Sequence, residues 1–365
     1  MSGEALQQVM ACFPTEGKAV SFEAIKSGHI NETWLVTTDT GARYILQRIN
    51  RYVFPNVDAV MDNVSRISDF LGREGGEHMT MIRFLKTPDG KNRYDDGTGA
   101  SWRAYRFVDN SVCRQTAESC GQMYECGRGF GAFLHALRDF PAAELEETIG
   151  NFHNTPARYA AFRRALEADA CSRRAEVEPE IAFLLEREDR ACRLQRMREK
   201  GALPVRVTHN DTKISNVLLD ERTGRALCVI DLDTVMPGLA ACDFGDAIRS
   251  GASTAAEDER DPAGVRLDLS RFRAFARGYL ETCPGLTQAE VASLPLGAYT
   301  MTVECGMRFL TDYLMGDQYF AIDYSTHNLD RCRTQLRLAA EMEKHREEME
   351  TIIAQTRAEL ERSEG

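Results

Sequence analysis

Residues 207–220 read VTHNDTKISNVLLD, and residues 226–233 read ALCVIDLD. Two short β-prone runs within these stretches flank a polar turn that contains Gly224. Runs of this kind around a Gly-containing turn predict a β-hairpin. The hairpin would bring Asp211, Asn216 and Asp231 together at its mouth, because each lies at the edge of an apolar run.

Two carboxylates and an amide oxygen at one point form a site for a hard cation. Mg²⁺ suits it, since this ion is usually held by one or two protein ligands together with substrate phosphates. The spacing His-x-Asp-x-x-x-x-Asn, followed by an acidic residue that ends a strand, is typical of the catalytic and metal loops of kinases. We therefore predict that Asp211 is a general base and that Asn216 and Asp231 hold Mg²⁺ beside ATP.

Three more polar residues surround this predicted site. We expect His209 to shape the loop through a hydrogen bond to the backbone, and Asp243 to brace the loop from below. For Asp233 two interpretations stay open, a further carboxylate near the metal or the cap of a turn.

The residues before position 109 predict a small antiparallel sheet that covers the nucleotide. The predicted strands are 21–25, 30–37, 43–48, 81–85 and 101–108, with an amphipathic helix at 56–71. In kinases the first turn touches phosphates through backbone N–H groups. Here that turn holds the single glycine Gly28, so an ordinary hairpin is the alternative. Val108 begins the predicted hinge, whose backbone would hydrogen-bond adenine.

The third predicted strand lacks the lysine that protein kinases use to pair with the α- and β-phosphates. Gln47 stands in its place and Arg48 follows it. Because side chains alternate faces along a strand, only one of the two can point at the nucleotide, and the sequence leaves open which. Asp58 and Asp62 on the following helix are either partners of a phosphate-binding cation or solvated surface acids.

The chain beyond the hinge is predicted to be mostly helical. Predicted helices include 115–137, 267–279, 287–294 and 300–314, with a long amphipathic helix at the end that carries Leu338 and Leu360. We therefore predict a bilobal α+β, protein-kinase-like fold, with an N-lobe at 1–108 and a helical C-lobe at 109–365.

Composition limits the partners. The formal charge of −11 argues against nucleic acid and anionic membranes, since both need a basic surface. The eleven cysteines are odd in number and include no C-x-x-C pair, which indicates reduced packing residues in a cytoplasmic protein. No apolar run approaches the roughly 20 residues that cross a bilayer. We expect a cytoplasmic monomer that binds ATP and a small molecule.

The stretches 209–216 and 229–238 resemble the aminoglycoside phosphotransferase and choline kinase superfamily. Within it, longer stretches are similar to the N-acetylhexosamine 1-kinases, and together they cover most of the chain: 28–31, 44–48, 151–153, 208–213, 231–238, 243–249 and 305–313.

This resemblance implies ATP- and Mg²⁺-dependent phosphorylation of the anomeric hydroxyl of N-acetylglucosamine or N-acetylgalactosamine, giving the α-1-phosphate. It implies that Asp211 contacts that hydroxyl and that His29, Arg308 and Tyr319 line the sugar pocket. Arg308 has a structural alternative, an ion pair with Asp312 four residues later on the same helix.

Two other functions stay open. A kinase for another small hydroxylated substrate, such as a different sugar, an aminoglycoside or choline, would share the catalytic residues, and the acidic segment 257–261 is compatible with a cationic aminoglycoside. A nucleotide-binding pseudokinase would keep the fold without turnover. The missing third-strand lysine favours that interpretation, whereas the intact Asp211, Asn216 and Asp231 oppose it.

Overall fold

The computed structural model describes residues 2–25, 30–74 and 82–364. The N-terminal region contains helix α1 (Gly3–Met10) and strands β1 (Ala19–Ile25), β2 (Glu32–Thr38), β3 (Arg43–Arg48), β4 (Tyr94–Asp95) and β5 (Ser101–Arg106). The strands form one antiparallel sheet in the order β1-β2-β3-β5-β4. Helix α2 (Val57–Glu74) is inserted between β3 and β4. One face of the sheet packs on α1, with Trp34 and Trp102 in contact at its centre.

One predicted strand of this sheet is wrong. The stretch predicted at 81–85 contributes an isolated bridge between Phe84 and Tyr105, and the fifth strand is β4 instead. The backbone of this stretch forms hydrogen bonds with two different elements. Leu85 N–H donates to the carbonyl of Ala104 on β5, whereas the carbonyl of Ile82 accepts from the Ser68 hydroxyl on α2. The apolar pattern was therefore correct about burial and extension, but α2 takes part of the hydrogen bonding that a strand would need.

The rest of the chain is mostly helical and carries three short antiparallel pairings. The helices are α3 (Cys120–Ala136), α4 (Thr155–Ala168), α5 (Glu178–Glu186), α6 (Glu188–Ala191), α7 (Arg193–Glu199), α8 (Ala240–Gly251), α9 (Leu269–Thr282), α10 (Gln288–Leu314), α11 (His327–Lys344) and α12 (Arg346–Glu364). The strands are β6 (Ser111–Cys113), β7 (Arg206–Thr208), β8 (Val217–Asp220), β9 (Ala226–Val229) and β10 (Met236–Gly238). Strands β8 and β9 form the predicted hairpin, β6 extends it, and β7 pairs with β10.

Two helix boundaries differ from the prediction. The stretches 287–294 and 300–314 form the single helix α10, although Pro295 lies inside it. This helix packs closely on α8, and a Cβ on Gly245 would overlap the carbonyl of Gly297, so tertiary packing outweighs the local proline penalty.

The predicted long terminal helix is divided into α11 and α12 at His345. The buried residues Met342 and Met349 are seven positions apart on either side of this break. Their spacing continues the helical pattern, which is why the sequence does not reveal the turn between them.

The architecture is the predicted kinase-like α+β fold, with an antiparallel sheet followed by a mostly helical remainder. The lobe boundary at 108 and 109 stays a prediction. The eleven cysteines are all free, and six of them are buried, as the predicted packing role requires. That role is wrong for Cys113, Cys120 and Cys171, which are exposed. Across the residues that the structure describes, no helix has the length and apolar character needed to cross a membrane.

Candidate active site

The loop between β7 and β8 is held from below by Asp243, as predicted. Its two carboxylate oxygens accept hydrogen bonds from the backbone N–H groups of His209 at 2.8 Å and Asn210 at 2.7 Å. Asn210 adopts a left-handed conformation with φ 63°, and its side-chain amide donates to Thr234 at 2.9 Å. Burial raises the pKa of Asp243 to about 6, against the opposing effect of His209 and the two N–H donors. The start of α8 therefore fixes the course of the loop.

His209 has the structural role that the sequence predicts. Its Nε2 lies 2.8 Å from the carbonyl of Ile230, while Nδ1 accepts from the N–H of Asp211 at 3.3 Å. Phe130 and Phe133 contact the ring with their edges. The imidazole thus ties the loop to the end of β9 and orients the Asp211 backbone.

The side chain of Asp211 lies at the mouth of the hairpin with two donors. Its Oδ2 accepts from Asn216 Nδ2 at 3.0 Å and lies 3.0 Å from Lys213 Nζ. Burial alone would raise the pKa of Asp211, but the Lys213 ammonium and the hydrogen bonds outweigh it and lower the pKa. Asp211 is therefore ionised at neutral pH and can accept a proton.

Lys213 was not predicted as a site residue, although the quoted motif contains it. Burial lowers its pKa, but Asp211 and Asp231 reverse that effect, and the net pKa lies above the ordinary value. The ammonium is therefore charged beside two acidic groups. The sequence feature that could have identified Lys213 is its position two residues after the predicted base, Asp211.

A hydrogen bond from the Ile230 N–H to the carbonyl of Asn216 at 2.9 Å joins the segments that carry Asn216 and Asp231. The Asn216 amide nitrogen donates to Asp211, which leaves its Oδ1 without a hydrogen-bond partner within the ranges 2–25, 30–74 and 82–364. Within the same ranges the Asp231 carboxylate forms no hydrogen bond or ion pair. Its backbone is held at φ 61°, a costly conformation for aspartate that is common at functional sites.

These two oxygen groups fit a bound Mg²⁺. Burial, followed by the nearby Asp233 and Asp211, raises the pKa of Asp231 to about 7, and Lys213 and Arg103 offset only part of that rise. Within the described part of the chain there is no cluster of three or more His, Cys, Asp or Glu side chains arranged as metal ligands. An ion here would depend on phosphate oxygens and water for its other ligands, as Mg²⁺ usually does.

The two candidates on β3 face opposite sides of the sheet, as strand alternation requires. Gln47 Oε1 accepts from Arg103 at 2.9 Å, and its amide nitrogen donates to Thr33 at 3.2 Å. Arg48 lies on the other side and pairs with the exposed Glu32 at 2.8 Å. Gln47 therefore lies on the side of the sheet that faces the metal loop, and Arg103 connects the two. Gly28 and His29 lie outside the residues that the structure describes.

Half-buried apolar side chains of the sheet and the hairpin face each other beside the predicted hinge. The group includes Ile25 of β1, Leu218 of β8 and Ile230 after β9, together with Val108. The N–H of Val108 donates to no described residue, whereas its carbonyl accepts from Ser111 at 2.6 Å. A half-buried apolar cluster, with an N–H at its edge that has no described partner, has the chemistry that an adenine ring needs.

The two acids on α2 are surface residues. Asp62 pairs with Arg66 at 2.7 Å and Asp58 with Arg93 at 2.6 Å, and both carboxylates are largely exposed. Helix α2 thus provides neither of them as a partner for a buried cation. Asp233 is instead the buried carboxylate of this region, where it pairs with Arg103. Asp233 therefore does more than cap a turn, because its ion pair with Arg103 connects the metal loop to the sheet.

Arg308 and Tyr319 lie together in a cavity of about 190 Å³ that is lined by residues of α4, α10 and the loop after α10. The guanidinium carbon of Arg308 lies 5.3 Å from the ring centre of Phe152, 5.8 Å from that of Tyr319 and 5.4 Å from that of Phe320. Within the described residues Arg308 forms no hydrogen bond or ion pair, so its donors are available to a ligand.

The predicted alternative for Arg308, an ion pair with Asp312, is wrong. The Asp312 carboxylate accepts from the backbone N–H groups of residues 318, 319 and 320, each at 2.9 Å, and from Asn328 at 3.0 Å. These donors hold the loop that carries Tyr319 in place. Asp312 therefore shapes one wall of the cavity and does not pair with Arg308.

His153 connects this cavity with the catalytic loop. Its Nε2 lies 3.0 Å from the carbonyl of Asn210, the residue before Asp211, and its Nδ1 lies 2.9 Å from Glu304 on α10. The neighbouring Phe152 is one of the rings around Arg308. Both ring nitrogens of His153 face acceptors, so the fully satisfied form is the imidazolium.

Comparison with known proteins assigns the family. Residues 21–280 match the model of APH, described as the phosphotransferase enzyme family. This chain belongs to the APH phosphotransferase family. The match contains every described candidate for base, metal and hinge, whereas Arg308 and Tyr319 lie beyond it.

Solved structures with the same fold include three phosphotransferases. A microcompartment-associated aminopropanol kinase shares 16% identity at a TM-score of 0.64, covering 95% of this chain and 98% of its own. A choline kinase from Cryptosporidium parvum shares 12% at 0.63, covering 94% and 96%. The spectinomycin phosphotransferase APH(9)-Ia, in complex with ADP and spectinomycin, shares 13% at 0.62, covering 94% and 99%. At these identities the likeness concerns the fold.

The link from His153 to Glu304 gives the phosphotransferase a pH-dependent stability. Burial lowers the pKa of His153, but Glu304 and the Asn210 carbonyl reverse the effect and raise it overall; Asp246 acts in the same direction. Burial raises the pKa of Glu304, and His153 together with Arg158 lowers it overall. The pair is therefore fully charged between the lowered pKa of the acid and the raised pKa of the imidazole.

The contribution of His153 to stability is complete below its ordinary pKa and is lost as pH rises through the raised value. Glu304→Gln should lower the free energy of unfolding by about 3 kcal/mol near neutral pH, because it breaks a buried ion pair. It should also flatten the fall in Tm as pH rises above the ordinary pKa of histidine, since the largest contribution that raises the imidazole pKa is then removed.

The matched control is Glu341→Gln. Glu341 is equally buried but pairs with Arg337, which does not titrate in this range, so that variant should keep the wild-type slope of Tm against pH. Parallel curves for wild type and Glu304→Gln in thermal melts would contradict the imidazolium assignment.

Proposed function

We propose that this phosphotransferase transfers the γ-phosphoryl group of ATP to the anomeric hydroxyl of an N-acetylhexosamine, giving the α-1-phosphate. N-acetylglucosamine and N-acetylgalactosamine are the proposed acceptors. The observation that carries the acceptor assignment is Arg308, which lies among three aromatic rings without a hydrogen bond or ion pair in the described ranges. One of these rings, Phe152, adjoins His153, which contacts the catalytic loop. The proposed site lies in the cleft between an N-lobe of residues 1–108 and a C-lobe of residues 109–365.

On the nucleotide side, the ADP complex of the spectinomycin phosphotransferase supports a bound adenine nucleotide in this fold. Asn216 Oδ1 and the Asp231 carboxylate would hold Mg²⁺, and the backbone of Val108 would meet the adenine edge. The bound ion would supply positive charge that offsets the negative charge on the departing phosphoryl group. Gly28 and Gln47 stay candidates for the phosphate end, as does Arg48, although its present partner is Glu32.

The chain's own part in the chemistry centres on Asp211. Its ionised carboxylate would accept the proton from the C1 hydroxyl while the bond from that oxygen to the γ-phosphorus forms and the bond to the ADP oxygen breaks. Asn216 holds the carboxylate through a 3.0 Å hydrogen bond, and Lys213 lies 3.0 Å from the same oxygen. The Lys213 ammonium would offset negative charge on the transferring group.

On the acceptor side, the cavity combines hydrogen-bond donors with apolar surface. Arg308 would donate to sugar oxygens, and Tyr319 would cover a face of the ring, with His29 as the third proposed contact. Most of the remaining lining is apolar, including Ala161, Met307 and Met315. A few fixed polar groups in an apolar cavity are the usual basis of small-molecule specificity.

The acidic segment 257–261 gives little support to an aminoglycoside acceptor. Glu257 pairs with Arg249 at 2.7 Å, and Asp261 accepts from the N–H of Ala263 at 3.0 Å. These carboxylates already have partners in the chain itself. A cationic antibiotic would have to compete with them.

The test is an ATP-consumption assay with Mg²⁺ and a panel of acceptors: both N-acetylhexosamines, unmodified hexoses, choline, aminopropanol and spectinomycin. The matched control acceptors are the methyl glycosides of the two N-acetylhexosamines, in which the anomeric oxygen is blocked. We expect turnover of a free N-acetylhexosamine and none of its methyl glycoside. Turnover of the methyl glycoside, or of another panel member alone, would contradict the proposed acceptor group.

Arg308→Met should raise the KM for the N-acetylhexosamine by about tenfold or more, because a hydrogen bond from a charged donor is worth about 1.5–3 kcal/mol. The KM for ATP should stay near the wild-type value. The control is Arg190→Met, which removes a guanidinium whose carbon lies 4.0 Å from the ring centre of Tyr299, earlier on α10. Steady-state kinetics with each substrate varied separately would decide, and equal acceptor KM values for both variants would exclude Arg308 from the sugar pocket.

A further inference from the structure

A buried arginine stands directly across from the position where kinases carry the third-strand lysine. Arg103 on β5 pairs in register with Gln47 on β3 and is only 1% exposed. Its Nε donates to Gln47 Oε1 at 2.9 Å, and its guanidinium carbon lies 4.9 Å from the ring centre of Phe84. The buried cationic side chain of this sheet therefore lies on β5 and not on β3, and Gln47 holds its guanidinium in place.

The carboxylate partner of Arg103 comes from the metal loop. The two terminal nitrogens of the guanidinium contact the two oxygens of Asp233 in a bidentate ion pair. The distance from Arg103 Nη2 to Asp233 Oδ2 is 2.9 Å. Asp233 Oδ2 also accepts from Asn31 at 2.7 Å, and the Asp233 carbonyl accepts from Thr148 at 3.0 Å. Every oxygen of the Asp233 side chain and its carbonyl is thus engaged.

In protein kinases the third-strand lysine pairs with a glutamate of the inserted helix. Here the acids Asp58 and Asp62 of that helix point to surface arginines, whereas Asp233 occupies the buried position two residues after Asp231. A two-pronged arginine pair fixes orientation as well as distance. It therefore determines where the loop carrying Asp231 lies relative to the sheet.

We infer that Arg103 is the positioning residue that replaces the third-strand lysine, acting through Asp233 to hold the metal loop against the sheet so that Asp231 meets the nucleotide phosphates. Arg103 itself remains bound to Gln47 and Asp233. The inference rests on the proposed use of MgATP and is independent of the acceptor.

The test measures MgATP binding to the full-length protein by calorimetry, without acceptor, at several Mg²⁺ concentrations. Arg103→Lys and Asp233→Asn keep the approximate size of each side chain but lose the two-pronged charged contact. Each should weaken MgATP binding by about tenfold or more and raise the Mg²⁺ concentration for half-saturation, as loss of a group that orients a metal ligand does. Metal-free ATP binding should change less, and the double variant should lose little more than either single variant.

The control is Arg106→Met, on the same strand but exposed and paired with Glu16 at the surface, which should bind like wild type. A purely structural ion pair would lower Tm without changing the Mg²⁺ dependence of the folded protein. The inference is overturned if Arg103→Lys and Asp233→Asn fold and bind MgATP with wild-type affinity and wild-type Mg²⁺ dependence. Because no acceptor is present, failure of the N-acetylhexosamine proposal would leave this readout unchanged.

Discussion

Asp211→Asn should reduce kcat by about 10²- to 10⁴-fold, the usual contribution of a positioned general base. The amide keeps the size of the carboxylate but cannot accept the proton of the attacking hydroxyl. MgATP affinity should stay within a few-fold of wild type, because the proposed metal ligands are Asn216 and Asp231. Rapid-quench measurement of the phosphoryl-transfer step would separate this loss from any change in product release.

Asp220→Asn is a matched control for that experiment. Asp220 ends β8 at the far end of the same hairpin, where its carboxylate accepts from the N–H groups of Arg222 and Thr223. The control variant should lose some stability and keep its turnover. If Asp211→Asn turned over at the wild-type rate, the proposed base would be wrong whatever the acceptor.

Asp231→Ala should weaken MgATP binding by about 100-fold or more, since even groups that only orient a metal ligand contribute 10–100-fold to metal affinity. The carboxylate has no partner within the described ranges and a pKa raised to about 7 by burial and the acids around it. Its removal should therefore stabilise the protein without metal while destroying the proposed metal site. Titration calorimetry with MgATP and with metal-free ATP would show the two effects separately.

Asp231→Asn keeps an oxygen ligand but removes the charge. Its affinity for MgATP should therefore lie between that of wild type and that of Asp231→Ala. Metal-free ATP should bind both variants at least as well as wild type, because a negative charge near the phosphates is gone. Unchanged MgATP affinity in Asp231→Ala would remove this residue from the metal site.

The catalytic hairpin was predictable because its information is local. The β-prone runs, the turn at Gly224 and the polar residues at the strand edges lie within one short segment, and the structure places Asp211, Asn216 and Asp231 at the mouth as expected. The roles of His209 and Asp243 were equally accessible, since a loop of this kind needs its backbone N–H and carbonyl groups satisfied by nearby side chains.

The features that sequence reasoning missed depend on distant partners. Arg103 and Asp233 are 130 residues apart, and no periodic pattern connects them. The spacing of Arg308 and Asp312 correctly placed both on one face of α10 but could not reveal that residues 318–320 take the carboxylate. Likewise β4 contains two residues, too few to give a periodic signal.

The central claim is that the phosphoryl group goes to the anomeric oxygen of an N-acetylhexosamine, and phosphorus NMR of the reaction product tests it most directly. After incubation of the full-length protein with MgATP and N-acetylglucosamine or N-acetylgalactosamine, we expect one new phosphate ester, coupled to the anomeric proton in the α configuration. An ester at another sugar oxygen, or no sugar phosphate with either acceptor while MgATP binds, would contradict the account.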